Sequence, residues 1–259
     1  MRFQAFFDES EREGGTFVVA GLAFGSDAAN QCAQEWKAIF GAYGGCHMRE
    51  LSHRTGRFKG VSSSETGELL RKGVASINEH ASFLVAVSCN VHEMSSLLPY
   101  WIRGFEGAYP VCCHMAMTML GEVAGASSAI DYVFEEGHQH QAQAAAFMAR
   151  VADVPQLKSA YQHHGHQFCS KRDGVLAETA DLLAWEWGKY WDETAITQKR
   201  KMRKSLISLV TGGSMDAQTY DTKRVKVTHL TGEPLQRFCE QVSRLGLLQI
   251  AEDAAASSD

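Results

Sequence analysis

The 259-residue chain has only four prolines and no long Gly/Ser stretch, so nothing in it reads as a flexible interdomain linker. Positive charge is also in short supply: 25 Lys and Arg stand against 30 Asp and Glu, a formal net charge of −5. Coating nucleic acid through overall charge is thereby excluded, whereas a local basic patch is not. No apolar run approaches the roughly 20 residues needed to cross a bilayer; the longest runs from Phe17 to Phe24. The opening Met1-Arg2-Phe3-Gln4-Ala5-Phe6-Phe7-Asp8-Glu9 has no signal-peptide core. Seven cysteines with no CxxC pair fit reduced thiols and a cytoplasmic setting better than a disulfide framework. The glycine pairs at 14–15 and 44–45 match neither a P-loop nor a dinucleotide fingerprint.

What is present is ordinary globular material, 45% hydrophobic and 21% charged. A single α/β domain over residues 1–259 is expected, with about 250–259 as a frayed tail. Residues 2–8 predict a strand, and residues 16–24 a second, strongly apolar one. The short polar turn between them, with Gly14-Gly15, predicts an antiparallel hairpin. Helical spacing of Cys32, Trp36, Phe40 and Tyr43 predicts a helix over 28–43, and another over 65–79 turns Leu69, Val74 and Ile77 inward. Strands follow at 83–87 and 129–134, and helices at 112–125, 139–151, 175–191, 194–209 and 234–248. A short extended piece covers 225–227. The fold class that follows is a mixed sheet opening with a hairpin, with helices packed around it.

Carboxylates fall at the ends of apolar elements in three places. Asp8 and Glu9 end the first strand, and Glu135 and Glu136 end the 129–134 strand. Glu178 and Asp181 lie three apart on the 175–191 helix, with Asp181 embedded between apolar residues. Taken singly, each has a bland explanation in turn chemistry or pairing with arginine. Together they point to a site, because ligands of open α/β sheets gather beyond the carboxyl ends of the strands. Hard oxygen ligands suit Mg²⁺ or Mn²⁺ rather than zinc, and such ions activate water for phosphodiester cleavage.

The segments Phe7-Asp8-Glu9-Ser10, Phe17-Val18-Val19-Ala20-Gly21-Leu22 and Glu178-Thr179-Ala180-Asp181-Leu182-Leu183-Ala184-Trp185 resemble motifs of bacterial domain-of-unknown-function family 3800. His47-Met48-Arg49-Glu50-Leu51 is similar to the His-x-x-Glu-Leu stretch found between them, so the resemblance runs over roughly residues 3 to 190. It implies a ribonuclease H-like fold in which strand-end and helix-borne acids bind divalent metal. Asp8 then matches the first-strand aspartate and Asp181 the helix aspartate, with Glu135 the choice for the middle acid and Glu136 close behind. Glu9, His47, Glu50 and Glu178 are the supporting candidates. Glu11 stands where family members usually have glycine, so the turn is expected to differ.

Lys199, Arg200, Lys201, Arg203 and Lys204 put five cations in six residues. A solvated helix face explains them as well as a phosphate-tracking patch does, which Lys223, Arg224, Lys226, Arg54, Arg57 and Lys59 would extend. His163-His164-Gly165-His166 with Cys169 lacks a second ligand pair for zinc and is expected to be a polar loop. Cys112-Cys113-His114 and Cys46-His47 read as buried thiols rather than nucleophiles. Trp185 is expected to pack over the acids, and Trp187 and Trp191 to lie exposed, at a subunit contact or as a base-stacking platform. The functional expectation is a cytoplasmic metal-dependent phosphodiesterase or nuclease acting on DNA or RNA, with no membrane association. The alternative is a non-catalytic protein- or nucleic-acid-binding module of the same fold.

Overall fold

Phenylalanine and β-branched residues crowd the first 25 positions, and the chain there forms two long strands, β1 (Arg2–Glu11) and β2 (Thr16–Gly25). Gly15 turns the chain at φ 80°, and the strands pair antiparallel with Phe7 opposite Gly21. The Phe7 ring covers Gly21 closely enough that a Cβ there would come within 2.5 Å of it. Four more strands complete the sheet: β3 (Phe83–Asn90), β4 (Ala129–Glu135), β5 (His163–Cys169) and β6 (Val225–Leu230). Their order is β5-β4-β1-β2-β3-β6. Only β2 runs against its neighbours; β1 with β4, β4 with β5 and β3 with β6 are parallel.

Strand alternation sorts the apolar residues into two cores. Phe3, Ala5 and Phe7 face a layer built from α5 (Ala108–Ala124), α6 (Gln141–Asp153) and α7 (Pro155–Ala160). Phe6, Val18, Ala20 and Leu22 face the layer of α1 (Ser26–Phe40), α2 (Met48–His53), α3 (Ser63–His80), α8 (Ala177–Tyr190) and α9 (Lys204–Thr211). A further helix, α4 (Val91–Leu97), follows β3. Ser62 caps α3 by accepting the Glu65 N–H at 3.1 Å, as the Ser-x-x-Glu spacing favours. The chain is described here from a computed structural model, for residues 1–97, 108–137, 139–170, 174–196, 201–211 and 224–230.

The α/β class, the opening hairpin and the inward positions of Leu69, Val74 and Ile77 match expectation. Three expectations are corrected. Residues 163–169 are a strand, not a loop: β5 is the sheet's outer member and exposes most of its polar side chains, so it lacks the apolar alternation of a central strand. The stretch 194–209 is not one helix; a π-helical turn (Trp191–Ile196) prolongs α8, and residues 201–203 are non-helical before α9. Trp187 is 2% exposed and donates Nε1–H to Ser88 Oγ at 3.0 Å, so it belongs to the core, while half-buried Trp191 stacks on His229 with ring centroids 3.9 Å apart. The expected helix over 234–248 and the tail at 250–259 lie outside the described residues.

Candidate functional site

Asp8 shares the parity of Phe6 along β1 and so faces the α8 layer, whereas Glu9 shares that of Phe7 and faces α5. On that far side, burial pushes the Tyr109 hydroxyl well up, aided by the nearby Cys113, Glu9 and Asp8. The parallel register of β1 and β4 pairs Phe6 with Val133 and Phe7 with Phe134. Its next step sets Asp8 beside Glu135, on strands roughly 4.8 Å apart. Glu136 falls after the strand, its N–H donating to the Cys169 carbonyl at 2.8 Å, and alternation points it away from Asp8. Glu135 is thus the acid that shares a face with Asp8.

Helix α8 packs across β1 and β2 on this face and carries Glu178 and Asp181 one turn apart. Asp8 and Asp181 are 4% and 6% exposed, so both are largely withdrawn from water. The two α8 acids bind the 45–48 segment. Glu178 Oε2 accepts Trp36 Nε1–H at 2.7 Å and the Cys46 N–H at 2.8 Å. Gly45, at φ 107°, lets the chain pass over that carboxylate, which occupies the place a Cβ would take. Burial raises the Glu178 pKa, against the lowering effect of those two donors. Asp181 Oδ2 accepts the Met48 N–H at 2.8 Å, and His47 Nδ1 lies 3.6 Å from the same oxygen. Glu50 accepts Arg57 Nε–H at 2.8 Å, and Arg57 also donates to the Gly44 carbonyl at 3.0 Å, so Glu50 closes the loop around α2.

Beyond Asp181 a cleft of about 430 Å³ opens between the β1–β2 turn, α2 and the end of α8. Arg12, Arg49, His53, Trp185 and Lys189 line it, together with the turn's acidic residues. Trp185 is not an open stacking platform. It is 7% exposed, with the Arg12 guanidinium 4.9 Å and Lys189 Nζ 5.5 Å from its ring centroid and His53 edge-on at 5.8 Å. Arg12 is also paired with Asp192, and Lys189 with Glu193 at 3.1 Å. Arg49 and His53, which line this cleft, were not singled out from the sequence. Their signal was the i, i+4 spacing that puts both on one side of α2.

The expected basic patch largely dissolves into structural roles. Lys199 and Arg200 lie outside the described residues. Arg203 Nε sits 3.3 Å from Glu186, a fully buried carboxyl whose pKa burial raises against the pull of Arg203. Lys201 is exposed. Lys204, with Arg203 and Arg71, borders a separate groove of about 630 Å³ over Leu70 and Val74. Arg224 donates to the carbonyls of Ile77, Asn78 and Ala81, and Lys226 pairs with Glu122 at 2.8 Å. The thiols of Cys46, Cys112 and Cys113 are buried and pushed up by desolvation, as expected of inert core cysteines.

The oxygen-only set Asp8, Glu135 and Asp181 has the donor chemistry for Mg²⁺ or Mn²⁺. One oxygen of Asp8 and one of Asp181 accept backbone N–H groups, from Glu9 at 2.9 Å and Met48 at 2.8 Å, which fixes how these carboxylates are presented. The three acids share a face and an end of the sheet but do not form a tight cluster. Among the described residues, the group with three metal-ligating atoms all within 4.8 Å of one another is Glu35, Glu79 and His80. No helix among the described residues is long and apolar enough to cross a membrane. No protein-family model matches the chain, and neither does any curated protein sequence.

Proposed function

We propose that this chain is a metal-dependent phosphodiesterase or nuclease of ribonuclease H-like architecture, related to domain-of-unknown-function family 3800. The observation that carries the reading is the shared position of three acids. Phe7 and Phe134 pair in the parallel register of β1 and β4, so the next residues, Asp8 three short of the end of β1 and Glu135 at the end of β4, lie side by side on the face that α8 crosses with Asp181. Mg²⁺ or Mn²⁺, when bound, would supply an activated water and charge neutralisation at the phosphate. Asp8, Glu135 and Asp181 would hold the ion, and His47 beside Asp181 would orient groups at its edge. Arg49 and His53 would meet the nucleic-acid backbone, rather than Arg203.

The test is cleavage of end-labelled single-stranded DNA and RNA with Mn²⁺. Wild-type protein is expected to cut at least one of them, and Asp8→Asn to lose more than about 100-fold with an unchanged melting temperature. Equal cleavage by Asp8→Asn would overturn the reading. A second reading, a binding module with structural acids, is favoured by one observation: both α8 carboxylates accept backbone N–H groups from the 45–48 segment. It predicts nucleic-acid or protein binding that Mn²⁺ does not alter, with no cleavage.

A further inference from the structure

Away from the strand-end acids, α1 and α3 lie side by side, and one spot between them gathers unlike ligands. An oxygen of Glu35 on α1, an oxygen of Glu79 and a ring nitrogen of His80, both in the last turn of α3, all lie within 4.8 Å of one another. Two carboxylates converge on one imidazole, and among the described residues no Lys or Arg pairs with either. The His80 side chain is 8% exposed. Its buried Nε2 makes an ion-pair contact with Glu35 Oε1 at 3.0 Å without a well-aligned hydrogen bond, so the ring faces the cluster. Ser76 Oγ donates to Glu35 Oε2 at 2.8 Å, which turns the other oxygen toward His80. Hydrogen-bonded carboxylate ligands of this kind are usual around bound metals.

We propose that Glu35, Glu79 and His80 form a second divalent-metal site, for a borderline first-row ion such as Zn²⁺, completed by water. One imidazole nitrogen with two carboxylate oxygens suits Zn²⁺ better than Mg²⁺, which keeps to oxygen ligands. Ligand atoms around a tetrahedral ion with bonds of about 2.0–2.1 Å stand about 3.4 Å apart. Reaching that spacing needs rotation of exposed Glu79 and a slight opening between Glu35 Oε1 and His80 Nε2, which stand 3.0 Å apart. The site lies at the carboxyl end of an 18-residue helix, where positive charge is favoured.

The experiment is a calorimetric Zn²⁺ titration of the full chain at pH 7, in wild type and in Asp8→Asn, each with and without Glu79→Gln. Carrying Asp8→Asn separates this site from the strand-end acids, so either proposal can fail alone. The expected result is a saturable Zn²⁺ event that survives Asp8→Asn and weakens at least about tenfold in Glu79→Gln, with Mg²⁺ binding at least about tenfold more weakly. Glu79 is exposed, so Glu79→Gln should melt with the parent; His80→Gln is the second variant and should weaken Zn²⁺ equally. No saturable Zn²⁺ binding, or the same affinity in Glu79→Gln, overturns the proposal.

Discussion

Glu178 and Asp181 sit one turn apart on α8, look alike in the sequence and do different things. Glu178 is the acceptor for two buried donors, Trp36 Nε1–H and the Cys46 N–H. Glu178→Ala should therefore lower stability by about 2–4 kcal/mol in urea unfolding, because both donors lose their partner. Asp181→Asn keeps an oxygen for the Met48 N–H and should cost under about 1 kcal/mol, so a large loss there would make Asp181 structural. His114 gives a pH prediction. Burial holds its pKa down from 6.5 to about 4. The unfolded chain takes up a proton at this residue from pH 6.5 downward while the folded one does not, so stability falls between pH 6.5 and about 4 and this loss levels off below. The loss is about 3 kcal/mol, and in a His114→Gln variant the stability lost across that window should be smaller by about that much.

At the scale of elements, the sequence was legible where apolar residues and turns agree. The β1–β2 hairpin, α3 and the central strands follow from dense Phe and Val runs, glycine turns and a Ser-x-x-Glu cap. Edge strand β5 was not legible, because its exposed positions carry His, Gly and Gln in place of alternating apolar residues. Short α2 and α7 were too brief for a helical period to register. Strand register adds what spacing alone left open: alternation and the Phe7–Phe134 pairing put Glu135, and not Glu136, on the face of Asp8. Glycine positions record close approaches. Gly188→Leu would drive a side chain into Arg12, whose Cδ is 2.9 Å from the Cβ position. Gly21→Val must displace the Phe7 ring and should cost about 1–3 kcal/mol in denaturant unfolding; a neutral effect would mean that the ring can move aside.

For the molecule as a whole, the charge pattern along the chain misled where side chains pair across elements. Arg203, Arg224, Lys226 and Arg57 each meet partners remote in sequence or around a loop, so clustered cations in the sequence did not become a surface stripe. The candidate acids were legible because each ends or interrupts an apolar element, yet their assembly on one face rests on β4 joining β1 in parallel, more than 120 residues apart. The proposed function requires Asp8 and Asp181 to serve one metal site. A calorimetric Mn²⁺ titration of wild type, Asp8→Ala and Asp181→Ala tests it most directly, with Glu79→Gln in every chain to silence the α1–α3 cluster. One saturable event is expected in the parent and in neither aspartate variant. Binding that survives in either variant, or its absence from the parent, would contradict it.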